Sequence, residues 1–516
     1  MTHSRATAVH SGRRWLILAT VAACFLPVTA DATILNVAVP SLTDTLDASA
    51  RDVLWIADVY PLVMVGLVLV TGPLGDRIGH RRLLLIGLAV FGSASGLSAL
   101  AQSPEALIAG RAALAVGASA IIPSTLAVIR QVFTDPKELG IAIGVWSAVA
   151  AGGAAVGPVV GGLLLEHYWW GSVFVVNVPV VAVLLAAVAV LMPRHTARTR
   201  TPWEPLSPLL AVVGVVGVVY GVKAFTHDGF ALNAVLPTAV GLCAVALFVR
   251  RQLRLTHPML DLAPFGQPRF RTGVMAATLP VLVLVGFELQ LAQHLQFALD
   301  MSPREAGLFL LPLPVAAFAA GPAAGFLSAR HGLATIIPAG LGLAALGYVG
   351  IAVTAGDGEP SFAMACCLVA VGAGHGAVQT VASEAIMTGA PADQAGGAAA
   401  VESVSYEVGA GFGIALIGSL TVLLYGRAFD VPGQDVPEDA TDSIGEAMSA
   451  ADDLAGAAGD AVAEAARQAF TDAYQVAAVV CAVVVAVVAV TVAVAWRRAP
   501  APAAPADVRA DDPARR

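Results

Sequence analysis

Residues 398–420 read AAAVESVSYEVGAGFGIALIGSL, and how this stretch is taken decides the fold. It is long and apolar enough to cross a bilayer as a helix, yet Glu402 and Glu407 lie in its first half. A charge near the centre of a membrane helix costs roughly 2.5–3.5 kcal/mol on insertion scales. Two such charges imply either a soluble helix or a membrane helix that uses them. The composition decides for the membrane. Of 516 residues 58% are hydrophobic and 12% charged, whereas a soluble domain carries about 25% charged residues. Runs such as VVAVLLAAVAVLM and LLAVVGVVGVVYGV recur along the chain. The class expected is all-α, a polytopic membrane protein.

Apolar segments fall near 15–39, 53–71, 83–101, 105–129, 139–164, 172–192, 206–225, 233–249, 272–298, 306–328, 334–354, 362–388, 397–424 and 474–496. That predicts about fourteen spans, with both termini on one side. The positive-inside rule makes that side cytoplasmic. Arg13, Arg14, Arg77, Arg81, Arg82, Arg130, Lys137, Arg194, Arg250, Arg251, Arg330 and Arg497 then face the cytoplasm, while Arg51, Lys223, Arg304, Arg427 and Arg467 face outward. The five cysteines lie in apolar runs without metal-ligand spacing and read as small core residues. The first span keeps Asp31 and lacks a small-residue cleavage site, so it reads as retained.

GPLGDRIG (72–79) after the second span is echoed by GFLSARHG (325–332) after the tenth, with Gly, Leu, Arg and Gly in register. Such an internal repeat is typical of secondary transporters. It predicts a cytoplasmic N-terminus (1–14), a six-helix bundle (15–192), two additional helices (193–255), a second six-helix bundle (256–496) and a disordered cytoplasmic tail (497–516). Within the second bundle, 426–470 forms an extracellular loop, read as one or two short amphipathic helices or as a disordered acidic linker.

Each motif has a physical reading. Gly72 and Gly79 allow a tight turn, and Asp76 is placed to favour a helix N-terminus and pair with Arg77, Arg81 or Arg82; a merely topogenic basic loop is the alternative. In AGGAAVGPVVGG (151–162), Gly153, Gly157 and Gly161 permit close helix packing, and Pro158 breaks a backbone hydrogen bond. Arg111 is read as the only basic residue deep in a span, a functional position by default or a structural pairing. The acids within spans are Asp31, Asp58, Glu288, Glu384, Glu402 and Glu407, with no comparable set of buried cations to neutralise them. Desolvation favours a neutral carboxyl and a nearby cation favours the ionised form. A cationic substrate and a proton would therefore displace one another. Glu402 and Glu407 stand about 140° apart on a helix. Trp55, Tyr60, Trp146, Phe287, Phe318, Tyr406 and Phe412 are candidate aromatic lining for such cations, and His294 and His375 are weaker relay candidates.

Four stretches carry a resemblance that runs nearly end to end: GPLGDRIGHRR, AGGAAVGPVVGG, DATILNVAVP (31–40) and GGAAAVESVSYEVGAGFG (396–413). The chain resembles the major facilitator superfamily, specifically its fourteen-span drug:proton antiporters of the QacA type. The resemblance implies two six-helix bundles with two extra central helices. It implies proton-driven export of lipophilic cations, such as quaternary ammonium compounds and dyes, across the cytoplasmic membrane. A lipid-embedded monomer is expected, with no cofactor, metal or nucleic acid. Asp31, Asp58, Glu402 and Glu407 match acidic positions of that pattern, and Arg111 its fourth-span arginine, there linked to proton transfer. Glu288 and Glu384 are extra, and Ala317 stands where the pattern carries an acid. No GxxxxGK[ST] loop occurs, and no enzymatic site is expected. The other readings are a dedicated exporter of one metabolite or natural product, and a non-transporting sensor or scaffold.

Overall fold

The computed structural model describes residues 11–133, 135–192, 206–228, 231–256, 258, 262–389, 395–431, 438–441, 443–454 and 456–498. The described residues are helical and contain no strand. The first half comprises α1 (Ser11–Leu46), α2 (Ala50–Ile78), α3 (His80–Ser98), α4 (Pro104–Val132), α5 (Pro136–His167), α6 (Ser172–Val175) and α7 (Asn177–Leu191). A hairpin follows, α8 (Leu206–Asp228) and α9 (Leu232–Gln252). The second half comprises α10 (Pro268–Gln293), α11 (Pro303–Leu310), α12 (Pro312–His331), α13 (Leu333–Thr354), α14 (Phe362–Gly389), α15 (Ala395–Ala428), α16 (Ile444–Asp453) and α17 (Ala457–Arg498). Among the described residues eleven helices are long and apolar enough to cross a membrane. The helices α2, α3 and α5 are not among those eleven, but they pack within the same bundle.

Local sequence explains the joints. Ser49 and Asp52 close a capping box that starts α2, and Ser302 and Glu305 close another at α11. The repeated motif is a repeated turn. Gly79 joins α2 to α3 with φ 96°, and Gly332 joins α12 to α13 with φ 79°. Each donates its N–H to the carbonyl four residues back, Gly75 and Ser328, at 2.8 Å. Only glycine adopts such backbone angles without strain.

Each half has its own apolar core. Phe91, Leu114 and Phe174 are fully buried in the first, and Phe270, Phe287, Tyr348 and Tyr474 in the second. The halves meet at the end that carries α16. There Gln296 Nε2 donates to Val37 O at 3.1 Å, Arg304 pairs with Glu166 at 3.4 Å, and Gly307 packs on the Pro158 carbonyl. The hairpin helix α8 leans on α2 and α15 together through a small cluster of Leu62, Val219 and Ala415.

Within the 426–470 loop the structure forms one short α-helix, inside the one or two expected, and lengthens the last span. The helix α16 is the short helix foreseen, docked with Gly445 against Thr43 of α1. A second separate helix does not form, because Val462, Ala466, Ala469, Ala473 and Ala477 continue one buried stripe into the last span, and α17 runs unbroken for 42 residues. The acidic stretch at 432–437, the 193–205 connection and the tail beyond 498 lie outside the described residues.

Candidate functional site

The site begins with the glycines of α5. Gly153, Gly157 and Gly161 face Thr29, Thr33 and Ile34 of α1. A methyl group at Gly157 would stand 2.7 Å from Ala30 O. The two backbones are in contact, as small-residue stripes allow, and Thr33 donates across the seam to Ala154 O at 3.1 Å. Beside this seam Asp31 turns toward α4. Its Oδ2 pairs directly with Nη1 of Arg111, whose Nε donates to Ile56 O of α2 at 3.2 Å. The guanidinium lies 4.7 Å from the ring centroid of Tyr60. Asp31 is 1% and Arg111 2% exposed. Three helices of the first half are thus stitched by one sealed ion pair.

A second sealed pair overturns part of the sequence reading. Lys223 of α8 was expected to face outward, with Arg111 the only basic residue deep in a span. Instead Lys223 is buried, with Nζ 2.6 Å from Oδ2 of Asp58 and 4.2 Å from the ring centroid of Trp55. Both acids of the first half therefore have a buried cation. A lysine near a span end reads as a snorkelling side chain, and only the packing of α8 against α2 reveals that it turns inward.

The acids of the second half differ. Glu288 of α10 and Glu402 and Glu407 of α15 are half-buried, and no ion pair reaches them among the described residues. Glu402 accepts a hydrogen bond from Ser383. Tyr406 directly precedes Glu407 on α15 and is exposed. Tyr60 of α2 is buried and presents its ring face to the Arg111 guanidinium of the sealed pair. Glu384 stands apart, exposed, accepting from Ser328 at 2.8 Å beside the Gly332 turn.

The aromatic candidates divide likewise. Tyr406 is 45% and Phe318 47% exposed. Phe412 and Trp55 pack at the α2–α8–α15 junction. Trp146 stacks on Phe25 at 4.6 Å and donates to Thr125 Oγ1 at 3.1 Å. Phe287 does not line a cavity: it is fully buried, between Tyr348 at 5.0 Å and Tyr474 at 5.2 Å, because its face of α10 forms the second core. His375 lies 3.0 Å from Pro280 O, whereas His294 stacks on Tyr474 at 4.4 Å. In the loop motif Arg81 donates to Ala189 O at 2.6 Å, Arg77 is exposed and Gly72 is half-buried; the Asp76 side chain lies outside the described residues.

A family model described as Major Facilitator Superfamily matches residues 21–414. The chain is 41% identical over 448 residues to the methyl viologen resistance protein SmvA of Salmonella typhimurium, covering 86% of this chain and 90% of the relative. It is 38% identical to the multidrug efflux pump LfrA of Mycolicibacterium smegmatis, covering 86% and 89%. It is 31% identical to the tetracenomycin C resistance and export protein of Streptomyces glaucescens, covering 81% and 78%. In fold it is similar to a bacterial homolog of the human lysosomal transporter Spinster, in an inward-facing and unoccupied conformation, with TM-score 0.67, 18% identity and coverage of 96% and 100%.

Proposed function

The chain belongs to the major facilitator superfamily, and we propose that it is a proton-coupled exporter of lipophilic organic cations. Transport by a multi-pass membrane protein related to drug-efflux pumps is the coarser statement, and it excludes an enzyme. The single observation that carries the finer one is Glu407: half-buried in an apolar span and without an ion-pair partner among the described residues. An unpaired carboxyl in an apolar span is served either by a proton or by a mobile cation. Substrate arriving at Glu407 expels the proton, and a returning proton expels substrate. Glu288 shares this role, Glu402 stands at its margin, and Tyr406 offers a ring face to the cation.

The same reading makes α16 extracellular, both termini cytoplasmic and the spans fourteen; helices stand over each of the fourteen apolar ranges. It also makes the Gly72–Arg81 motif a cytoplasmic conformational latch and the chain a monomer in the cell membrane. A methyl viologen resistance protein among the relatives supports an organic cation as cargo. A dedicated exporter of one natural product is the second reading, favoured by the tetracenomycin C exporter. Proteoliposomes with an imposed pH gradient test both. Gradient-driven movement of ethidium and tetraphenylphosphonium, abolished by a protonophore, is expected. Transport that ignores the gradient contradicts the proposal, and a response to neither cation favours the dedicated exporter.

A further inference from the structure

The helix α8 reaches the second core through Ala211 and Leu210, yet it carries a buried cation into the first half. Asp58 is fully buried and Lys223 is 6% exposed. The ammonium is 2.6 Å from the carboxylate and 4.2 Å from the centroid of Trp55. Tyr220, one turn before Lys223, packs 5.9 Å from the same indole and accepts a hydrogen bond from Arg51 at 3.3 Å. As a simple helix tether this is a poor device, since a buried ion pair is often no more stabilising than well-packed apolar residues of the same volume. The junction around it is already apolar, with Leu62, Val215, Val216, Val219 and Phe412.

The surroundings of Nζ are those that recognise an organic ammonium: a carboxylate on one side and an aromatic face on the other. Lysine is the one side chain that reproduces such a ligand while remaining attached to the protein, on a flexible four-carbon stem. Its helix also touches both halves, packing on α2 and on α15. We propose that Trp55 and Asp58 form a second organic-cation site at the α16 end of α2, occupied by Lys223 as a tethered substitute that a free lipophilic monocation must displace. A tethered group competes at an effective concentration of roughly millimolar, so the site is closed to dilute substrate while α8 is docked. It opens when α8 withdraws or when the lysine stem swings out. The ligand class rests on the exporter reading, whereas the site itself rests on the geometry of α2 and α8.

Equilibrium dialysis of the purified full-length protein with tetraphenylphosphonium tests this. The wild type binds one equivalent at the Glu407 site. K223Q empties the second site and is expected to bind two equivalents. D58N/K223Q, which removes both charges and leaves none buried alone, returns to one. E407Q/K223Q weakens the equivalent at the Glu407 site about tenfold and leaves the affinity at Asp58 unchanged, so the two sites are read separately. A single equivalent in folded K223Q would show a plain tether and overturn the proposal, as would a second equivalent that survives in D58N/K223Q. Unchanged affinity of both equivalents in E407Q/K223Q would instead defeat the proposed function. K223M, which keeps an apolar stem over Trp55, takes the place of K223Q if that variant does not fold, with the same outcomes.

Discussion

The two halves treat their intramembrane acids in opposite ways. In the first half Asp31 and Asp58 are each sealed against a buried cation, Arg111 or Lys223. In the second half Glu288, Glu402 and Glu407 keep part of their surface open and have no ion pair among the described residues. Similar carboxyls therefore have different uses. The Asp31–Arg111 pair fixes three helices and resists exchange, because removing either partner strands a charge out of water, whereas the cation at Asp58 sits on a flexible lysine stem that can give way to another cation. An open carboxyl has no such constraint and is free to trade a proton for a cation. Sequence spacing does not distinguish the two classes; neighbouring helices do.

Substitutions sharpen that contrast in order of size. Asp31→Ala leaves Arg111 buried and unpaired, and should cost about 3–5 kcal/mol of stability along with all transport; thermal unfolding in detergent measures the first and proteoliposome flux the second. Asp31→Asn keeps the shape and should still lose most export, and a folded variant with wild-type flux would break the contrast. Glu407→Gln should leave Tm within a degree or two, while cation affinity falls by roughly tenfold, the value of one charged hydrogen bond. Gly157→Ala forces a methyl against Ala30 O, an overpacking worth about 1–3 kcal/mol, and should slow turnover more than it weakens binding. Glu384→Gln should be the mildest. Ser328 can still donate to the amide oxygen, more weakly than to the carboxylate, and flux is expected to stay within about twofold because the residue is exposed beside the Gly332 turn.

The sequence allowed much of the fold to be read because its signals were local. Apolar length marked the helices, the glycines of GPLGDRIG and GFLSARHG marked paired turns that the structure places at Gly79 and Gly332, and the α5 glycines marked a tight seam that lies on α1. What escaped depended on which faces meet. Lys223 was legible as a lysine but not as the counter-cation of Asp58, since the partner lies on a helix remote in sequence. Phe287 and Tyr406 are both aromatics beside acids, yet one is sealed in the second core and the other is 45% exposed. The long α17 was hidden because its acidic and alanine-rich start resembles a loop in composition while its buried stripe continues the span.

Proton release on cation binding tests the central claim most directly. Tetraphenylphosphonium is added to weakly buffered, detergent-solubilised protein near neutral pH, and released protons are followed with a pH-sensitive dye. The account predicts that wild type releases protons as the cation binds, that binding weakens as pH falls, and that Glu407→Gln abolishes the release while Glu384→Gln retains it. Undiminished release from Glu407→Gln, or its loss in Glu384→Gln, would contradict the assignment of exchange to the open acid of the second half.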